Sequence, residues 1–301
     1  MDKQKINKVI NIFVFTLLLL VTTGCSSINT GVPEGDFRFI VASDIHIKKN
    51  KVERDKRLAA FVDAINKNKY PKVEFVVTTG DNVSSMYDKY YPDDPQKGTN
   101  DFKRFVDIMD NLNVPKYIVL GNHEYKIEND RDSDAPYRTS EIDSLTNMLE
   151  NITGSESYYT FIHDGWKFII LNSMTGRGND NFFDDKQLKW LENELKDKLP
   201  TILFSHHPVE TDGFRIWCKP SGLITEKKEP EFFNILNQHK DIIKGIFVGH
   251  GHMWVHDKLF DSIDVYETDS FGDNKDSPFY LIGIDKTNNK MNVSSFSNSK
   301  E

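Results

Sequence analysis

The sequence predicts a layered α/β fold, with sheets lying between helices, on three observations. Five short apolar runs, at 37–43, 75–79, 116–120, 201–204 and 245–248, have the length and composition of buried strands. Segments with apolar residues at helical spacing separate several of them, and the C-terminal part of the chain then turns strand-rich. The chain is also of a size for one large unit. Its 301 residues, 38% of them hydrophobic, can bury a sizeable core, and no low-complexity linker divides them.

Each element has a local reason. Leu58, Phe61, Val62 and Ile65 fall at i, i+3, i+4 and i+7 and predict an amphipathic helix before the second strand. Phe102, Phe105, Val106 and Met109 repeat that spacing before 116–120, and both apolar faces read as core. Asp164-Gly165 between two β-rich runs predicts a tight hairpin, because its turn needs residues that tolerate positive φ. Leu188, Leu191 and Leu195 mark another helix, and Phe232, Phe233 and Leu236 the last one before 245–248. Beyond His252, runs at 254–260, 263–268, 279–284 and 291–296 read as strands, and nothing repeats at a fixed period.

Each of the five apolar runs leads into residues that bind metals. They are Asp44-Ile45-His46, Gly80-Asp81-Asn82, Gly121-Asn122-His123-Glu124, Ser205-His206-His207-Pro208 and Gly249-His250-Gly251-His252, and six of the nine histidines lie in four of these clusters. In open α/β sheets, sites form beyond the carboxyl ends of the strands. A pair of divalent cations, roughly 3.5–4 Å apart in two-metal hydrolases, calls for neutral imidazoles, carboxylates to offset charge, and one carboxylate to bridge. Asp44 and His46, two apart at a strand end, are expected to point the same way by the period-two alternation of a strand, and His250 with His252 repeats the spacing. Asp81 has the neighbourhood for a bridge. Singly, Asp-x-His and Gly-Asp-Asn are ordinary turns. Five such motifs in order, each behind an apolar run, describe a site.

That ordered set resembles the calcineurin-like metallophosphoesterases, over about Phe37 to Asp285. The Tyr158 to Ser173 hairpin and the following Gln187-Leu188-Lys189-Trp190-Leu191-Glu192 are similar to elements that members of this family carry. The resemblance implies a four-layer sandwich, two facing mixed sheets flanked by helices, in a domain spanning 36–301. It also implies two divalent metal ions, with Asp44, His46 and His252 on one, Asn122, His206 and His250 on the other, and Asp81 bridging. His206 is implied as the ligand of its motif, with His207 a neighbouring or substrate-side group. His123 is implied to contact the phosphoryl group and to protonate or stabilise the leaving oxygen, with Glu124 orienting it. The implied reaction is hydrolysis of a small phosphomonoester or phosphodiester by in-line attack of metal-bound hydroxide, without a covalent intermediate. Manganese, iron, zinc or cobalt all suit the donors, with manganese or an iron–manganese mixture expected first. Ser84 stands where purple acid phosphatases carry an iron-binding Tyr, which argues against a coloured iron–tyrosinate centre. A cell-surface protein that binds metal or phosphate without turnover is the alternative on the same scaffold.

Charge narrows the partners. The formal net charge of -8 becomes more negative once Lys3, Lys5 and Lys8 are removed, so a polymeric nucleic acid is not expected, while a small phosphorylated substrate is. Those lysines precede an apolar run at 10–21 and then Thr22-Thr23-Gly24-Cys25. The run is shorter than the roughly 20 residues of a spanning helix, and the pattern reads as a signal peptide over 1–24. Cys25 resembles a bacterial lipoprotein acceptor, followed by a short tether over 25–35. Export with membrane attachment through lipid on Cys25 is the expectation. Cys25 and Cys218 are the only cysteines, so a lipid on the first excludes an intrachain disulfide, and Cys218 reads as a packing residue. The loops at 84–100, 125–156 and 209–229 are expected to form the rim that reads the substrate, with their aromatic residues read first as loop packing.

Overall fold

The computed structural model describes residues 31–91, 93–94, 97–128, 139–218 and 222–297. The signal-peptide segment and Cys25 lie outside the described residues. Strands β1 (Phe37–Ala42), β2 (Phe75–Thr79) and β3 (Lys116–Val119) run parallel, while β10 (Phe279–Asp285) pairs antiparallel with β1 and β11 (Lys290–Phe296) with β10. The resulting order is β11-β10-β1-β2-β3. A second sheet is built from β4 (Tyr159–His163), β5 (Trp166–Ile170), β6 (Thr201–Phe204), β7 (Ile243–Val248), β8 (Val255–Leu259) and β9 (Ile263–Glu267), in the order β4-β5-β6-β7-β9-β8. Its inner pairs are parallel and its two edge pairs antiparallel.

The central strands read as continuous apolar runs because both of their faces are covered. Along β1, Phe39 and Val41 face the second sheet while Ile40 and Ala42 face the helical layer, the alternation a strand imposes. Phe39 stacks on Phe75 at 4.8 Å and meets Phe168 edge-on at 5.5 Å, across the inter-sheet layer. Each such buried ring contributes on the order of 1.5–3 kcal/mol relative to exposure, so this aromatic seam locks the two sheets face to face. The outer layers follow the helical spacing. Helix α1 (Val52–Asn66) buries Leu58, Phe61, Val62 and Ile65, and α2 (Asp101–Met109), capped by the Asn100 side chain on Lys103 N at 2.8 Å, buries Phe102, Phe105, Val106 and Met109. On the other side α4 (Asp185–Glu194), capped by Asp184 on Gln187 N at 2.7 Å, and α6 (Pro230–Gln238) cover the second sheet. Two mixed β-sheets flanked by helices are thus the architecture.

Two stretches differ from the sequence expectation. The region read as a long polar loop contains α3 (Thr139–Thr153), which buries Ile142, Leu145 and Leu149 against the first core. Met148 and Ile152 pack beside them, so the helical spacing is present, set inside a stretch rich in polar residues; residues 129–138 of that stretch lie outside the described ones. Tyr87 and Tyr90 also pack on the first core, their rings 5.1 Å apart. The 209–229 stretch likewise contains a short helix, α5 (Asp212–Trp217), capped by the Thr211 hydroxyl. Among the described residues no helix is long and apolar enough to cross a membrane.

Candidate metal centre

The five motif loops leave the ends of β1, β2, β3, β6 and β7 and converge. The backbone does not do this by strand pleating, as the Asp-x-His spacing suggested. β1 ends at Ala42, and Asp44 and His46 lie beyond it in left-handed conformation, at φ 52 and 53; His250 and His252 do the same beyond β7, at φ 78 and 56. Asp81 is left-handed too, at φ 48. Residues two apart face the same centre because the left-handed turn repeats. Such backbone costs about 1–3 kcal/mol per non-glycine residue and persists only where surrounding contacts over-determine it. Here the first two motif loops are zipped together, with Asp44 N donating to Gly80 O at 3.1 Å, His46 N to Asp81 O at 3.0 Å and Ile47 N to Asn82 O at 2.9 Å. Gly80 itself, at φ 90, sits where a Cβ would lie 2.6 Å from His206 Nδ1, so neither backbone nor space admits a side chain.

Two donor sets result. In one, His252 Nε2 lies 3.1 Å from both Asp44 Oδ1 and His46 Nε2. In the other, His206 Nε2 lies 3.0 Å from Asn122 Oδ1 and 3.3 Å from His250 Nδ1, with Asn122 Oδ1 to His250 Nδ1 at 3.2 Å. Ligands about 2.1 Å from a common ion at angles between octahedral and tetrahedral are about 3.0–3.4 Å apart, so these separations suit chelation. Asp44 Oδ1 is buried, and the nitrogens nearest it are His252 Nε2 at 3.1 Å and His46 Nε2 at 3.8 Å, imidazoles able to share an ion with it. Asp81 Oδ2 stands 3.2 Å from His206 Nε2, and an Asp81 oxygen also clusters within 4.8 Å of ligand atoms on His46 and on Asp44. It is the carboxylate common to both sets.

The electrostatics describe a pocket that calls for positive charge. Burial opposes a charged His206, but the Asp81 carboxylate outweighs it and holds the imidazole up to about 10. Burial likewise opposes His252, and its contact with Asp44 lifts it to about 8. Burial wins at His46, which falls to about 4. Asp81 goes well below the usual carboxylate range, burial being overcome first by His206. In the metal-free protein the two protonated imidazoles thus stand in for cations.

His123 borders this pocket with its side chain 24% exposed, Nε2 being 3.8 Å from Asp81 Oδ2. Its Nδ1 lies 2.7 Å from the Ser84 carbonyl, and its backbone N donates to Asp81 Oδ1 at 2.9 Å. Glu124 does not touch that imidazole, which corrects the expected pairing. Its buried carboxylate accepts from the backbone N–H groups of Asp81 at 3.0 Å, Val83 at 3.1 Å and Gly121, so it shapes the loop that carries Asp81. The physical reason is direction: a residue adjacent in sequence points away, and a carbonyl from another loop takes its place. His207 bonds Ser173 Oγ through Nδ1 at 2.7 Å, its ring 4.8 Å from that of His250, and it falls within ligand distance of His206 and His250. Sequence reasoning missed Asp273, whose Oδ2 lies 3.2 Å from His252 Nδ1, and Glu267, which lies buried against Gly251. Neither sits in a pattern that local spacing could flag.

A two-sheet α/β sandwich gathers His, Asp and Asn donors beyond its strand ends, in clusters able to hold metal. The chain belongs to the calcineurin-like phosphoesterase family, whose sequence pattern matches residues 37–254. That family implies divalent metals, and the His and Asp clusters are able to hold them. A probable cyclic nucleotide phosphodiesterase from Synechococcus is 28% identical over 152 residues, 50% of this chain and 51% of that one. A probable glycerophosphodiester phosphodiesterase from Arcobacter nitrofigilis is 28% identical over 179 residues, 56% of each. The chain therefore spans about half the length of the curated relatives it matches. In fold, a dimetal phosphatase from Danio rerio aligns with a TM-score of 0.61 at 14% identity, covering 89% of this chain and 98% of that one. A 5'-nucleotidase from Candida albicans aligns at 0.54 and 12% identity, covering 91% of this chain and 54% of the other.

Proposed function

We propose that this protein is a metal-dependent hydrolase of small phosphoric esters, with Asp44, His46 and His252 at one ion, Asn122, His206 and His250 at the other, and Asp81 shared. The observation that carries this reading is the position of Asp81 between two donor sets whose atoms are already spaced for chelation. Divalent ions bound there would neutralise phosphoryl oxygens and supply a water of lowered pKa. The chain's own contribution is orientation and proton handling. A carbonyl only accepts, so the Ser84 contact places the proton of His123 on Nδ1 and leaves Nε2 to exchange a proton with the leaving oxygen. Glu124 acts at one remove, by gripping the backbone on both sides of Asp81. An oxygen- and imidazole-rich donor set with no thiolate favours manganese or an iron–manganese pair. Both curated relatives bear diesterase names, which favours a phosphodiester as the first substrate to try. Within the same proposal the domain over 36–301 is exported, residues 1–24 being removed and Cys25 carrying lipid, a reading supported by the N-terminal sequence alone.

The test is hydrolysis of bis-p-nitrophenyl phosphate and p-nitrophenyl phosphate by protein starting at Ser26, after chelation and re-addition of manganese, zinc, iron or cobalt singly, with Asp81→Asn as control. Turnover restored by metal and absent from the variant is the expected result, and the ratio of the two rates reads the diester or monoester preference. Metal binding without turnover across natural phosphoesters would instead make the protein a metal- or phosphate-binding module.

A further inference from the structure

The side of the site that carries His46 and His252 is held from behind by two side chains from remote elements, Arg54 and Asp273. His252 Nδ1 lies 3.2 Å from Asp273 Oδ2, while its Nε2 faces Asp44 and His46. This ion pair places negative charge beside Nδ1, which favours the hydrogen there and leaves Nε2 toward the ion position. Arg54, in the first turn of α1, donates from Nη2 to Asp273 Oδ1 and from Nη1 to the His46 carbonyl at 2.7 Å. One guanidinium thus grips the backbone of one histidine and the imidazole partner of the other.

Asp273 is not a chance surface neighbour, because its loop is riveted to the first motif. Phe271 N donates to Ser43 O at 2.9 Å, Gly272 N to Asp44 O at 3.0 Å and Ser270 Oγ to Asp44 O at 2.9 Å. Ser270 Oγ in turn accepts from Asp273 N at 3.1 Å. Gly272 passes so close that a Cβ there would lie 2.0 Å from Ile45 O. The loop has one way to sit, and in it the Asp273 carboxylate reaches His252. At the other donor set, His206 Nδ1 faces a neutral group, the Thr79 carbonyl at 2.9 Å.

We propose that Arg54 and Asp273 are positioning residues for the ion held by Asp44, His46 and His252, setting the tautomer and ring orientation of His252 and adding negative charge behind it. The proposal rests on the dinuclear reading above and gives the two positions unequal strength, the Asp44 side being the tighter. The test is titration of the metal-free protein with manganese by calorimetry, read beside the manganese EPR spectrum. Wild type taking up two ions is the premise, and wild type binding none would overturn the dinuclear reading rather than the clamp alone. Asp273→Ala is expected to weaken the tighter step by about 10–100-fold, as loss of a charged partner behind a metal ligand does, while the weaker step stays within about threefold. Asp273→Asn, which keeps an acceptor and loses the charge, should fall between, and serves alone if the alanine variant does not fold. Melting of the metal-free proteins reports folding independently. Unchanged manganese binding in a folded Asp273 variant overturns the proposal, and so does equal weakening of both steps, which would mark a general structural role.

Discussion

Asp81→Asn tests the centre most directly. The asparagine is isosteric and retains the Oδ1 acceptor for His123 N at 2.9 Å, so the loop keeps its shape while the shared charge disappears. Asp81 Oδ2 is 3.2 Å from His206 Nε2; at an effective dielectric of about 20, opposite unit charges at that distance interact by about 5 kcal/mol. That is an upper figure for what the variant removes. Losing one partner of a buried charge pair costs about 3–5 kcal/mol, or at least a hundredfold in affinity for a cation that takes the same place. Two readouts follow. Manganese affinity, measured by competition with a chelator, should fall by about 10²–10³-fold, and hydrolysis with it. His206 in the metal-free variant, followed by 15N NMR, should titrate well below the value of about 10 that Asp81 sustains. Two manganese ions bound with native affinity, or a His206 still titrating near 10, would refute the assignment of Asp81 as the shared carboxylate.

Other outcomes are open to measurement. The metal-free protein should lose stability as pH rises above 6.5: His206 and His252, raised to about 10 and about 8, stabilise fully below their ordinary 6.5 and lose that contribution as pH rises through those values, and Glu124, raised to about 8 by burial, also costs stability as pH rises toward 8. His46, lowered to about 4, works the other way and destabilises as pH falls from 6.5 toward 4. A melting temperature of metal-free protein that is flat from pH 6.5 to 10 would contradict this, and so would manganese uptake at pH 7 without proton release. His123→Ala should keep its metals and lose about 10²–10⁴-fold in rate on a substrate with a poor leaving group; full activity would remove His123 from proton transfer. Cys218 is half-buried, and burial, then the charge of Glu267, pushes its thiol up to about 12. At pH 8 it should react with a thiol reagent about 10³-fold more slowly than a free cysteine of pKa about 8.5, in protein lacking Cys25.

Much of the architecture was legible because it is recorded locally. Strands buried on both faces must be apolar throughout, so β1, β2, β6 and β7 stood out, and the broad apolar faces of α1 and α2 announced themselves at helical spacing. The stripe of α3 has the same spacing but lies inside a stretch otherwise rich in polar residues, which read as a loop. The candidate residues were visible as well, since Asp44 with His46 and His250 with His252 are neighbours in sequence. Their geometry was not. Repeated left-handed backbone at four of these positions replaces the strand pleat the spacing suggested; at Asp44 and His46 it is held by hydrogen bonds to the Gly80–Asn82 loop, and at His250 by its N–H donating to Asp44 Oδ2 at 3.1 Å. Glu124 faces the backbone around Asp81 while Ser84 meets His123, and Asp273 reaches His252 from a loop between β9 and β10 with Arg54 behind it. By itself, then, the sequence determined the strands, most helices and the inventory of donor side chains, and only the tertiary structure decided which atom of each donor faces which. Periodicity records the face an element buries, because that is a property of one segment; the partner of a side chain depends on how close a second, remote segment comes, which no local pattern encodes.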